Sequence, residues 1–145
     1  MELAIQVRKM RRSPRGRARV LVDYPIYYLT IPEGKRDRRC SLTSDTCTID
    51  DQYFFVRGCL ELPVRDESDP FIWGVWVSVS QPSFQLFVRV YDQTNRSHVG
   101  PFFGWLQSHI RVYPETVGLK TRVHLRNGQD STIHRARADR SPSRD

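Results

Sequence analysis

Residues 53–64 read YFFVRGCLELPV, and their parity decides what kind of element they form. Phe54, Val56, Gly58, Leu60 and Leu62 fall on one side of an extended chain, while Arg57, Cys59 and Glu61 fall on the other. Successive side chains of a strand point to opposite faces, so the alternation predicts a half-buried strand that Pro63 ends. Beyond the polar turn RDESDP (65–70), FIWGVWVSVS (71–80) repeats the pattern. Phe71, Trp73, Val75, Val77 and Val79 share one face there, and Ile72, Gly74, Trp76, Ser78 and Ser80 share the other. The two stretches are expected to pair as a hairpin.

Outward from that hairpin, Ser80 can cap a helix with Pro82 in its first turn. Phe84, Phe87, Val88 and Tyr91 follow the i, i+3, i+4, i+7 spacing of its apolar face. After the loop DQTNRSH come GPFFGWL (100–106), the turn YPETVG and LKTRVHLR (119–126). In the last of these Leu119, Thr121, Val123 and Leu125 oppose Lys120, Arg122, His124 and Arg126, a second half-buried strand. Strands on short turns, interrupted by one helix, predict an α+β domain over residues 23–127, an antiparallel sheet with one main helix packed on one face.

The chain has 145 residues, enough for one hydrophobic core and too few for two. Its net charge of +7 sits in the ends. Residues 23–126 carry 12 Lys or Arg and 12 Asp or Glu, whereas residues 1–22 carry 7 basic side chains against Glu2 alone. The run RKMRRSPRGRAR repels itself and lacks periodicity, so residues 1–22 read as a disordered basic tail and residues 128–145 as a disordered polar one. Nucleic acid is expected as a partner only through the basic tail, by phosphate contacts that read no sequence. Three cysteines make no disulfide framework and favour a reducing, cytoplasmic setting. No apolar run approaches the ~20 residues of a membrane helix, so no membrane association is expected.

The chain contains no P-loop, dinucleotide fingerprint, HExxH, nucleophile elbow or CxxC pair, which lowers the odds of an enzyme. An alternative is a small-molecule enzyme in which His124 serves as base for a Cys47 or Cys59 thiolate. Cys40, Cys47, Cys59 and His124 have the donor chemistry of a zinc site, but zinc knuckles place paired ligands two to four apart, and these cysteines are not so spaced. Neither metal nor cofactor is therefore expected. Asp45, Asp50 and Asp51 read as turn and cap residues in preference to a cation site. No catalytic residue is assigned.

If one sheet face packs on the helix, the opposite face carries Arg57, Glu61, Trp76, Arg122 and His124. A large aromatic ringed by Arg and His has the composition of a binding surface. The expected function is accordingly a non-enzymatic binding module for a protein or small-molecule partner, with Trp76 as an exposed anchor and Trp73 in the core.

LTSDTCTIDDQYFFVRGCLELPV, FIWGVWVSVS, GPFFGWL and YPETVGLKTRVHLR, in that order, resemble the bacterial domain-of-unknown-function 2199 family over residues 24–126. The resemblance takes in Ser44, Asp45, Cys47, Arg57, Gly58, Trp73, Gly74, Trp76, Gly104, Trp105, Lys120, Thr121 and His124. It implies a bacterial origin and no particular activity. Members of that family typically open with a Cys-x-x-Cys-Gly segment and a His, like a zinc knuckle, and continue past the last strand. Here an arginine-rich stretch and DSTIHRARADRSPSRD stand in those places.

Overall fold

The structure is a computed structural model that describes residues 2–7, 19–20, 22–62, 65–66, 71–109 and 115–128. Its strands are β1 (Glu2–Val7), β2 (Arg19–Val20), β3 (Cys40–Leu42), β4 (Thr46–Ile49), β5 (Tyr53–Leu62), β6 (Phe71–Val79), β7 (Phe102–Leu106) and β8 (Lys120–Leu125). Two α-helices are present among the described residues, α1 (Arg36–Arg39) and α2 (Gln81–Arg89), with 3-10 turns at Ile26–Thr30 and Glu33–Lys35.

The sheet order is β2-β6-β7-β8-β1-β5-β4-β3, and β5 also pairs with β6. That extra pairing closes β6, β7, β8, β1 and β5 into a five-stranded barrel, from whose wall β4 and β3 extend. An odd ring cannot alternate direction at every step, so one neighbouring pair has to be parallel. Here it is β1 with β8, in register from Glu2↔Lys120 to Val7↔Leu125, while the other four barrel pairs are antiparallel.

The expected α+β sheet with a helix over one face is thus corrected to a closed five-stranded β-barrel with further strands on its wall and only short helices. The local elements stand: the β5–β6 hairpin runs in register from Phe54↔Val79 to Leu62↔Phe71. Helix α2 starts where read, with the Ser83 amide donating to Ser80 Oγ at 3.2 Å. What α2 covers is different. Phe84 packs on Phe54, and Phe87 and Val90 join the barrel core where β5 begins and β6 stops, while Val88 is exposed. The helix caps a barrel whose walls already bury one another's side chains.

Inside the barrel Ile5, Val7, Val56, Leu60, Trp73, Val75, Val77, Phe102, Leu106, Val123 and Leu125 form one core. The reading of residues 1–22 as a tail fails at its start, because Leu3, Ile5 and Val7 alternate inward with Glu2, Ala4 and Gln6 outward. Arg19 and Val20 pair with β6 as well. Residues 1, 8–18, 21 and 129–145 of the two expected tails lie outside the described residues.

Glycine sets the barrel's tightest approach at two places. A Cβ on Gly58 would stand 2.5 Å from Ile5 Cγ2 and 3.1 Å from the Gln6 carbonyl, where β1 crosses β5. One on Gly104 would stand 2.6 Å from the Ser78 carbonyl, so β7 lies against β6 as only a glycine allows.

A second core lies outside the wall. Ile31, Cys47, Ile49, Phe55 and Trp76 are buried together, with Val22, Tyr27, Tyr28 and Cys40 packed against them. Residues 22–31 and the β3–β4 hairpin therefore form a cover over the outer side of β5 and β6.

Candidate functional site

Strand parity is as read: Trp73 faces the barrel core and Trp76 faces away from it. Facing away does not mean facing water. Trp76 is 0% exposed, its indole N–H donates to the Val22 carbonyl at 2.9 Å, and its backbone amide donates to Ser108 Oγ at 3.0 Å. The Arg57 guanidinium lies 5.9 Å from the Trp76 ring centre and donates to the Ser44 carbonyl at 2.8 Å. The expectation of Trp76 as an exposed anchor is corrected, because the cover fills the space a ligand would need.

The cover is held by polar contacts at its rim. Ile26 N–H donates to the Gln107 carbonyl at 3.1 Å, and the Tyr91 hydroxyl donates to Asp45 in the β3–β4 turn. Burial, and then the bond to Asp45, push the Tyr91 hydroxyl up to about 12. Arg96 is buried beside it, donating to the Tyr91 carbonyl at 2.6 Å and the Arg126 carbonyl at 2.8 Å, and burial lowers its pKa. Each partner is a backbone or turn group of the fold, so this cluster reads as a fastening.

Asp50 and Asp51 adopt φ of 56° and 50° between β4 and β5, with Gln52 N–H donating to the Ile49 carbonyl at 3.0 Å. Two consecutive residues with positive φ suit a tight hairpin turn, and Asp tolerates that region. Asp45 sits at the other end of β4, so the three carboxylates do not converge. No group of three or more metal-ligating side chains occurs among the described residues.

The thiols and His124 are not brought together either. Cys47 lies in the second core, and burial raises its thiol to about 12. In the outer rows of the barrel His124 pairs with Gln6, and Gln6 pairs with Cys59. Two strand spacings, about 10 Å, thus separate His124 from Cys59 along the wall. Among the described residues two buried side-chain polar atoms have no partner, Trp73 Nε1 and Thr121 Oγ1. They do not share a site: Thr121 belongs to the row of Gly104 and Val79, six residues along β6 from Trp73.

Among the described residues, the outer wall at β7 and β8 is left open. Phe103 and Trp105 project from it at 37% and 43% exposure, with ring centres 4.9 Å apart and planes at 88°. Beside them the outward row of β8 is Lys120, Arg122 and His124, continued by Arg126. Lys120 is in register with Trp105 and Arg122 with Phe103, and the Arg122 guanidinium lies 5.7 Å from the Phe103 ring centre. Glu2 of β1 accepts from Arg122 Nε at 3.2 Å, and Arg126 donates to Gln6 Oε1 at 2.9 Å. Of the five residues expected to share a binding face, Arg122 and His124 lie here, Arg57 lies with Trp76 under the cover, and Glu61 sits half-buried opposite Ile72. Phe103 and Trp105 were not singled out as site residues. The signal was the alternation in PFFGWL, where Phe102, Gly104 and Leu106 turn inward and leave two aromatics outward.

The signature of a family described as "Uncharacterized protein conserved in bacteria (DUF2199)" matches residues 15–144. The chain belongs to this family. The match runs beyond residues 24–126 at both ends, through the segments that had stood out as departures from the family. No curated protein and no solved structure matches the chain. No helix among the described residues is long and apolar enough to cross a membrane.

Proposed function

We propose that this member of the family is a non-enzymatic binding module whose contact surface is the outer wall of β7 and β8. The observation that carries the reading is the pair Phe103 and Trp105, left exposed beside a basic row on a wall whose other tryptophan is fully covered. An aromatic pair on strands is held in place by the sheet, so it offers apolar contact area while losing little side-chain entropy on binding. Arg122 and His124 keep the role expected of them. Trp105 takes the anchor role expected of Trp76. A cytoplasmic setting is part of the proposal and is supported by three free thiols.

The test is site-specific photo-crosslinking in bacterial cells, with a benzophenone amino acid placed at Phe103 or Trp105 and, as control, at exposed Val88 on α2. A discrete macromolecular adduct from 103 or 105, and none from 88, is the expected result. Failure of both wall positions to give an adduct, or equal labelling from Val88, would sink the reading.

A further inference from the structure

Resting on that reading, we propose that the β7–β8 wall binds single-stranded nucleic acid, with Phe103 and Trp105 stacking on bases and Lys120, Arg122 and Arg126 contacting phosphates.

Charge selects the class of partner. The outward row of β8 and its continuation carry three permanent cations and one imidazole in succession, and Glu2 of β1 is paired with Arg122. Alternate residues of a strand stand about 6.8 Å apart, on the order of the phosphate-to-phosphate step of an extended strand. A polyanion laid along β8 can therefore meet a cation at successive steps and release counterions at each. A second copy of this chain brings no net negative charge to that row, being +7 overall and balanced over residues 23–126. Nor does the chain's own run at 8–18, where six of the eleven residues are Lys or Arg and none is acidic.

The aromatics select the strandedness. Phe103 and Trp105 lie one strand over from the cations, at the distance at which a base reaches from its backbone. Bases in a duplex are stacked on one another and offer no free π-face, whereas unpaired bases stack on aromatic side chains without regard to sequence. The two rings pack at 88°, so a base stacked parallel to one ring stands edge-on to the other. Arg122, already over Phe103, can hold a phosphate while keeping its ring contact. The surface differs from the basic run at 8–18 in having rings among its charges.

Fluorescence anisotropy of the full chain with labelled oligothymidine and oligouridine at low salt tests this, with the same sequences as duplexes for comparison. Binding of the single strands in preference to the duplexes is expected. Trp105→Ala should weaken it about tenfold or more, and Trp105→Phe should restore most of it. Lys120→Ala should lower the slope of log K against log salt by about 0.7. Melting curves establish that each variant is folded. The proposal is overturned by no binding of either oligonucleotide, by equal affinity for duplex, or by binding that Trp105→Ala leaves unchanged. The photo-adduct at position 103 separates this from the parent reading. An adduct removed by nuclease supports the proposal, whereas one that resists nuclease and yields to protease overturns it while leaving the binding wall in place.

Discussion

Trp76 and Trp105 stand on neighbouring strands of one barrel wall, both pointing away from its core, and they meet opposite environments. Trp76 is sealed at 0% exposure beneath residues 22–31 and the β3–β4 hairpin, and Trp105 is 43% exposed. Alternation along a strand fixes which side of the wall a residue occupies. It says nothing about whether a second layer covers that side. In this molecule the covered aromatic is part of a core, and the uncovered one faces solvent.

The largest expected effect tests that division directly. Trp76→Ala should destabilise the protein by about 3–5 kcal/mol, as a large core truncation that also strands the Val22 carbonyl, whereas Trp105→Ala should stay within about 0.5 kcal/mol. Urea unfolding of the two variants measures both. Equal losses would erase the distinction between the two faces.

A smaller effect concerns what holds the cover down. Tyr91→Phe removes the bond to Asp45 and should cost about 1 kcal/mol at neutral pH. The native tyrosine pKa is raised from 10.0 to about 12, so its contribution is fully present below pH 10 and is lost as pH rises through about 12. Wild-type stability should therefore fall faster than that of Tyr91→Phe across this window, as read by chemical unfolding at fixed pH values. Parallel curves would show that Tyr91 does not fasten the cover.

The smallest effect lies at the cover's exposed edge. Arg39 donates to both carboxylate oxygens of Asp50 at 2.8 and 2.7 Å, and that bond holds the Asp50 pKa below 3.8. A depressed carboxylate pKa gives stability that is present above the unfolded value and lost as pH falls through the native one. Because both groups are at the surface, solvent screens most of this. Carboxyl NMR titration should show Asp50 titrating below the ordinary aspartate value, and Arg39→Gln should return it there.

The β5–β6 hairpin, the strand at 120–125 and the Ser80-capped helix were legible in the sequence because each is a local pattern of period 2 or 3.6. Barrel closure was not, because alternation is the same in an open sheet and a closed one, and which strands meet is a non-local matter. β1 was hidden by its neighbours: LAIQV alternates as clearly as 119–126, but the arginines that follow dominate the composition of residues 1–22. The cover was hidden for another reason. Residues 22–31 build it from an irregular path with a single 3-10 turn, which has no period to read. Of the candidate surface, the basic row of β8 was legible and its aromatic neighbours on β7 were passed over, since two outward residues make a short pattern.

The parallel pairing of β1 with β8 also sets a timetable. Glu2 and Arg122, joined across that pair, are 120 positions apart, so the ring closes only when nearly the whole described chain is present. Bringing such distant segments together costs roughly 4 kcal/mol in chain entropy, which burial of Leu3, Ile5 and Val7 then has to offset. Contacts so remote place the domain among the slower folders of its size. At cellular rates of synthesis, on the order of ten seconds pass between the making of β1 and the making of its partner. Throughout that interval β1 can find β5 on one side, while its other edge stays unpaired until β8 is made, and an open apolar edge of that kind is a template for aggregation.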